Sequence, residues 1–111
     1  MKPTVQFDVF EQLDIRVGKI VGVDIASTKK PTYRLEIDFG TEIGRKVSCG
    51  GYRHYPVEAL MGKLVLAVVN FPTKKMGPEK SEVLVLGVND DAGNTVYVSP
   101  ASDVPVGQVL F

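Results

Sequence analysis

Between Leu13 and Ile25 the chain alternates with a period of two. Odd positions are apolar at Leu13, Ile15, Val17, Val21, Val23 and Ile25; even positions carry Asp14, Arg16, Gly18, Gly22 and Asp24, and only Lys19 and Ile20 break the order. Neighbouring strand side chains point to opposite faces, so this pattern specifies a long strand rather than a helix. Gly18 and Gly22 inside it predict a bulge or a sharp bend, as where a strand turns a barrel corner.

The rest of the chain extends the same logic. Residues 32–39 alternate again, with Tyr33, Leu35, Ile37 and Phe39 on one face. A turn at Gly40–Gly44 leads to a third strand over Arg45–Cys49. Pro56–Met61 reads as a short helix, with Pro near its start and Gly62 just past its end. Leu64–Val69 and Val83–Val88 are apolar throughout and read as strands, separated by a loop over Asn70–Lys80 with Pro72, Gly77 and Pro78. Asn89–Asn94 is a hairpin loop and Thr95–Val98 returns from it. Pro100–Gly107 is irregular. Five or more strands, a glycine-bent first strand and one short helix between the third and fourth fit an all-β, five-stranded OB-fold barrel. With 111 residues, 44% of them hydrophobic, the chain makes one domain, 1–111, and has enough apolar material for a core. Both ends remain apolar beyond what a small barrel needs, through Phe7, Val9 and Phe10 at the start and Val109, Leu110 and Phe111 at the end. They could cover their own barrel or form a self-association surface.

The formal net charge is zero, with 13 basic and 13 acidic side chains, which excludes a histone-like or polyanionic protein. The charges are nevertheless segregated. Residues 45–80 hold 7 basic and 2 acidic side chains, while residues 81–111 hold no basic and 4 acidic ones. The basic stretch is interleaved with aromatics: Tyr52, Arg53, His54 and Tyr55, then Asn70 and Phe71, then Lys74 and Lys75. Cations for phosphates beside rings for bases are the composition of a nucleic-acid surface. The alternative is a set of solvated charges spread over several faces.

Catalytic chemistry is poorly supplied. Cys49 and His54 are the only Cys and His, too few for a zinc site, and nothing orients them as a nucleophile and base. No Gly-Lys-Ser/Thr follows a Gly-rich turn, so no P-loop is present. No catalytic residue, metal or cofactor is expected. No apolar run approaches a membrane span and no signal-peptide core follows Met1-Lys2-Pro3-Thr4. A lone cysteine forms no internal disulfide, and a cytoplasmic setting is expected.

Phe10-Glu11-Gln12-Leu13-Asp14-Ile15-Arg16-Val17-Gly18-Lys19-Ile20 resembles the opening of the tRNA-binding domain family. That family includes stand-alone structure-specific tRNA-binding proteins, the C-terminal domain of some methionyl-tRNA synthetases, and the CsaA export chaperones. Leu35–Gly40 with Glu42-Ile43-Gly44, and Leu60-Met61-Gly62-Lys63, resemble the same family. Val68-Val69-Asn70-Phe71-Pro72, Met76-Gly77-Pro78 and Ser81–Gly87 look specifically like its CsaA branch. The resemblance implies an OB-fold, no catalysis, and a homodimer built by extensions at both ends, here 1–12 and 100–111. It implies partners among unfolded or exported polypeptides and the secretion machinery, with tRNA as a second ligand.

Carried over by position, Asn70, Lys75, Met76 and Ser81 face the ligand. Lys46, Tyr52, Arg53, Tyr55 and Lys74 complete the expected tRNA or ligand surface. Phe7, Phe10, Leu84, Leu86 and Phe111 form the expected dimer and peptide groove. Two departures divide the branches. Ser81-Glu82-Val83-Leu84 lacks the Ser-X-Gly-Met of tRNA binders and favours CsaA. Ser48–Tyr55 resembles the basic, aromatic stretch of tRNA binders and favours the alternative, a structure-specific tRNA-binding protein acting alone or with a synthetase.

Overall fold

The structure, a computed structural model, describes residues 1–111. Strand β1 (Ile15–Ile25) is the spine of the fold. It pairs antiparallel with β2 (Tyr33–Asp38) along its second half and with β4 (Leu64–Val68) along its first half. β2 in turn pairs with β3 (Arg45–Gly50), and β4 with the two-residue β7 (Leu84–Val85). The five-stranded sheet therefore has the order β3-β2-β1-β4-β7. It curls until its edges meet: the backbone N–H of Glu82 donates to the Val47 carbonyl at 2.7 Å, and the Val47 N–H donates to the Glu82 carboxylate at 3.1 Å. Ser81 Oγ accepts from the Cys49 N–H at 3.1 Å and donates to the Val83 carbonyl at 3.1 Å. This is the nearly closed barrel of an OB-fold, as the alternation and element order predict.

The bend in β1 has a cause in its glycines. A bulge lies between Ile20 and Gly22, where the pairing register with β2 slips by one residue. A one-residue slip transfers side chains to the other face. Ahead of it the even positions face the core, Gly18 and then Ile20 at 1% exposure beside Leu35, Ile37 and Phe39; beyond it the odd-numbered Val23 packs against the same core. Ile15 and Val17 face outward, into a second apolar cluster with Leu66 and Val68. Gly18 lies where β1 crosses closest to the core. A Cβ there would stand 2.4 Å from Ile37 Cγ2 and 2.7 Å from a Phe39 ring carbon.

Two short helices accompany the barrel. α2 (Val57–Leu60), between β3 and β4 as expected, plugs one end with the fully buried Leu60. Pro56 precedes it in extended conformation, and Gly62, at φ +77°, ends it in the left-handed region. Burial of a side chain like Leu60 contributes about 1.5–3 kcal/mol. α1 (Phe7–Glu11) precedes the barrel, in a segment whose apolar spacing is too short to predict a helix.

Two segments differ from the sequence reading. Asn70–Lys80 is not a plain loop; it contains the hairpin β5 (Lys74–Met76) and β6 (Glu79–Ser81), turned at Gly77 with φ +66°. Val83–Val88 is not one continuous strand. It breaks at Leu86 between β7 and β8 (Gly87–Asn89), and β8 leaves the barrel to form a hairpin with β9 (Thr95–Tyr97). The break follows from hydrogen bonding: Leu86 N–H donates to Leu66 and the Leu86 carbonyl accepts from Val98, which turns this side chain out to the second cluster.

Candidate ligand-binding groove and apolar outer face

Three loops converge at one end of the barrel because β1, β2 and β3 end or begin there. Tyr33 of β2 stands opposite both Ile25 of β1 and Gly50 of β3. The β1–β2 loop, the end of β3 and the tip of the β5–β6 hairpin enclose a groove of ≈ 950 Å³. Lys29, Lys30 and Pro31 form one wall, Met76, Gly77 and Pro78 the other, and Cys49, Gly50 and Gly51 the floor. The hairpin adds the exposed Lys74, Lys75 and Lys80 beside the second wall. The loops that follow the first and fourth barrel strands are where OB-folds hold extended ligands. Lys29 and Lys30 on one wall, with the hairpin lysines behind the other, make this end of the barrel positive, suited to phosphate.

One carboxylate ties the walls together. Glu79 Oε2 accepts the Ser27 backbone N–H at 2.9 Å, and Arg34 Nη1 reaches both Glu79 oxygens at 3.0 Å. Asp24 lies 3.6 Å from the other Arg34 nitrogen. The Ser27 hydrogen bond, then the Arg34 guanidinium, holds the Glu79 carboxyl below its ordinary range, and Glu79 holds Arg34 above its own.

The expected ligand residues separate. Met76 lines the groove, while Lys74 and Lys75 are exposed on the strand behind it and do not line it, Lys75 alternating to the opposite face of the hairpin from Met76. Arg53 and His54 are exposed just past its floor, with the Arg53 guanidinium 5.4 Å from the Tyr33 ring centre and the His54 ring 4.3 Å from that of Tyr55. Tyr55 is half-buried against Tyr97, ring centres 5.5 Å apart, and its carbonyl accepts the Tyr33 hydroxyl at 2.9 Å. Tyr52 is not a stacking residue. It is 3% exposed, packs in the barrel core, and burial pushes its phenol up to about 12. The pair of glycines before it lets the ring fold back inside: a Cβ on Gly50 would lie 2.6 Å from that ring.

Ser81 spends its hydroxyl on barrel closure rather than facing a ligand. Asn70 is a staple at the start of β1. Its side chain accepts from the Asp14 N–H and donates to the Gln12 carbonyl, each at 2.9 Å, fixing the N-terminal segment. Lys46 is half-buried opposite Ile37, at the end of β3 away from the groove. Burial, then the Glu79 charge, raises the Cys49 thiol above its ordinary value, so it is a poor nucleophile. Sequence reasoning missed Lys29, Lys30 and Glu79. The signal available was Lys29-Lys30-Pro31 lying in the first interstrand loop.

The termini build a second surface on the outside of β1 and β4. Residues 107–110 run along the edge of β1 that β2 leaves free, with Val17 N–H donating to Gln108 at 3.0 Å and Leu110 N–H to Ile15 at 2.8 Å. Arg16, at 14% exposure, locks them: it bonds Asp14 at 2.6 Å, Glu42 at 3.0 Å and the Gly107 carbonyl at 3.1 Å. Phe10, Leu86 and Leu110 pack on the second cluster, whereas Phe7, Leu84, Val109 and Phe111 stay exposed around it. An apolar groove of ≈ 400 Å³ runs between Val17, Leu66, Val104, Leu110 and Phe111. The extensions therefore cover part of their own barrel and leave an apolar fringe. No helix is long and apolar enough to cross a membrane.

The family described as "Putative tRNA binding domain" matches residues 15–109. A methionine–tRNA ligase of Chloroherpeton thalassium is 39% identical over 108 residues, 97% of this chain, which spans only 15% of that enzyme. The crystal structure of the chaperone CsaA from Bacillus anthracis superposes with TM-score 0.90 at 39% identity, covering 98% of this chain and 100% of that one. The CsaA chaperone from Picrophilus torridus gives TM-score 0.91 at 36% identity over 97% and 100% of the two chains. The ligase is matched over a small part of its length, and the two CsaA chains are matched end to end. With the barrel, the two loop walls and the terminal extensions in place, the chain belongs to the tRNA-binding domain family, on its CsaA branch.

Proposed function

We propose that this chain is a non-enzymatic, CsaA-type chaperone of the cytoplasm, working as a homodimer on unfolded or presecretory polypeptides. The observation that carries this reading is the apolar fringe of Phe7, Leu84, Val109 and Phe111 around an already packed outer cluster. Soluble proteins avoid such contiguous apolar surface unless it has a partner. Segments 1–12 and 100–111 would meet their copies in the dimer, and the groove beside Phe111 would take apolar side chains of an extended client. The end-to-end match with two proteins named as chaperones supports the same reading.

A second reading, a tRNA-binding protein acting alone or with a synthetase, is favoured by the groove's lysine wall, Lys29 and Lys30, and by the family's description. The two readings give opposite salt responses. Contacts with phosphate release counterions and weaken steeply with salt, while apolar burial does not. Fluorescence anisotropy with labelled bulk tRNA and a labelled unfolded signal-bearing polypeptide, from low to high salt, separates them. Polypeptide binding that persists at high salt, lost together with dimerisation in Phe7→Ser/Phe111→Ser, supports the chaperone. Salt-sensitive tRNA binding with no polypeptide signal overturns it in favour of the second reading.

A further inference from the structure

We infer that Glu79, an acid beside a basic groove, is the positioning residue that sets the spacing of the β1–β2 loop wall and the β5–β6 hairpin wall, with the lysines each carries, for an RNA ligand. This inference rests on the tRNA-binding reading of the groove. As Ser81 ties the base of the hairpin to β3, Glu79 ties the hairpin to the β1–β2 loop and to β2. It rises from β6, accepts the Ser27 N–H of the β1–β2 loop, and is held by Arg34 of β2. Its side chain is 10% exposed, so it is walled in rather than offered to the ligand.

Without it, the hairpin is fixed at its base, by Ser81 and Lys80 on Cys49, and its tip Met76-Gly77-Pro78 extends on a three-residue strand pair whose residues are exposed or half-exposed. Such a hairpin is at the low end of local stability. A spacing that matches successive phosphates is worth nothing if the wall carrying Lys74, Lys75 and Lys80 drifts relative to that carrying Lys29 and Lys30. Preorganisation of this kind contributes affinity by removing the ordering cost at binding.

The claim has a sign that electrostatics alone cannot imitate. Deleting a carboxylate near a phosphate site makes the site more positive, so a bystander Glu79 gives tighter RNA binding on removal. A positioning Glu79 gives weaker binding. Asp24→Ala supplies the charge control, since Asp24 touches the same Arg34 but neither wall.

The experiment measures bulk tRNA binding by wild type, Glu79→Ala and Asp24→Ala across a salt series, with Ser27 amide hydrogen exchange and thermal melts alongside. The expected result is an affinity lower by about tenfold in Glu79→Ala, with a log–log salt slope shallower by about one unit, as for one lost phosphate contact. Asp24→Ala binds as well as wild type or tighter. Ser27 exchange accelerates in Glu79→Ala while the barrel amides keep their protection. Equal or tighter binding by Glu79→Ala overturns the inference, as does unchanged Ser27 exchange. Failure of wild type to bind tRNA overturns the RNA reading of the groove itself, and with it the ligand half of the inference; the Ser27 exchange then still decides whether Glu79 holds the walls.

Discussion

Replacing Gly18 and Gly22 by alanine, one at a time, separates two glycines that look alike in the sequence of β1. At Gly18 the new methyl would lie 2.4 Å from Ile37 Cγ2 and 2.7 and 2.9 Å from two Phe39 ring carbons. Carbon atoms in contact sit about 3.5–4.0 Å apart, so the overlap is about 1 Å on two side chains. Neither can retreat, because Ile37 and Phe39 are at 0% and 1% exposure inside the core. Overpacking of this kind costs about 1–3 kcal/mol, and two rigid neighbours place Gly18→Ala near the top of that range. At Gly22 the nearest atom is the Glu36 Cβ at 3.3 Å, and the backbone is not in the left-handed region. The shift needed there is a few tenths of an ångström. Removing a glycine's unfolded-state freedom returns about 0.4–1 kcal/mol, so Gly22→Ala is near neutral. An unfolding entropy of about 2.1 cal/mol/K per residue gives about 4 °C per kcal/mol for a chain of this size. Gly18→Ala should therefore melt about 8–13 °C below wild type, and Gly22→Ala within about 3 °C of it. Calorimetry or circular dichroism at one fixed protein concentration reads this without interference from self-association. A Gly18→Ala melt within 3 °C of wild type, or an equal fall for both variants, would refute the argument that close approach at Gly18 shapes the barrel.

Two pH responses follow from the site. Burial raises the Tyr52 phenol to about 12 from its ordinary 10, so this group stabilises the fold fully below pH 10 and loses its contribution as pH rises through 12. That contribution is about 2–3 kcal/mol. Absorbance titration should show a late phenol ionisation that is absent in Tyr52→Phe; an identical curve in the variant contradicts the buried assignment. Glu79 behaves oppositely. Its folded value is held below 4.5 by the Ser27 N–H and then Arg34, so its contribution is complete above pH 4.5 and fades as pH falls below that. The Ser27 amide resonance should titrate with a midpoint under 4.5; a midpoint at or above 4.5 would show that the clamp does not form.

The sequence by itself determined β1 to β4, the two glycine positions, the short helix after Pro56 and the family. These follow from local rules: a period of two, fixed-φ residues at element ends, and motifs contiguous in the chain. It also determined that the ends were too apolar for an ordinary surface. It did not determine which face of β1 is the inside. The even-numbered Ile20 is core while the odd-numbered Ile15 and Val17 face outward, and the bulge after Ile20 reverses the phase so that the odd-numbered Val23 packs on the core. Nor could it tell a stacking tyrosine from a core one. Tyr52 and Tyr55 share a basic, aromatic neighbourhood, and only the space left by Gly50 folds one ring inside. Asn70 and Ser81 were visible as polar residues beside strands, but their hydrogen bonds go to Gln12, Asp14, Cys49 and Val83, partners fixed by strand pairing. The groove is the clearest case. Lys29 and Lys30 lie more than forty residues from Lys74 and Lys75. Barrel closure at Val47 brings their loops face to face, and the Glu79 carboxylate holds them there.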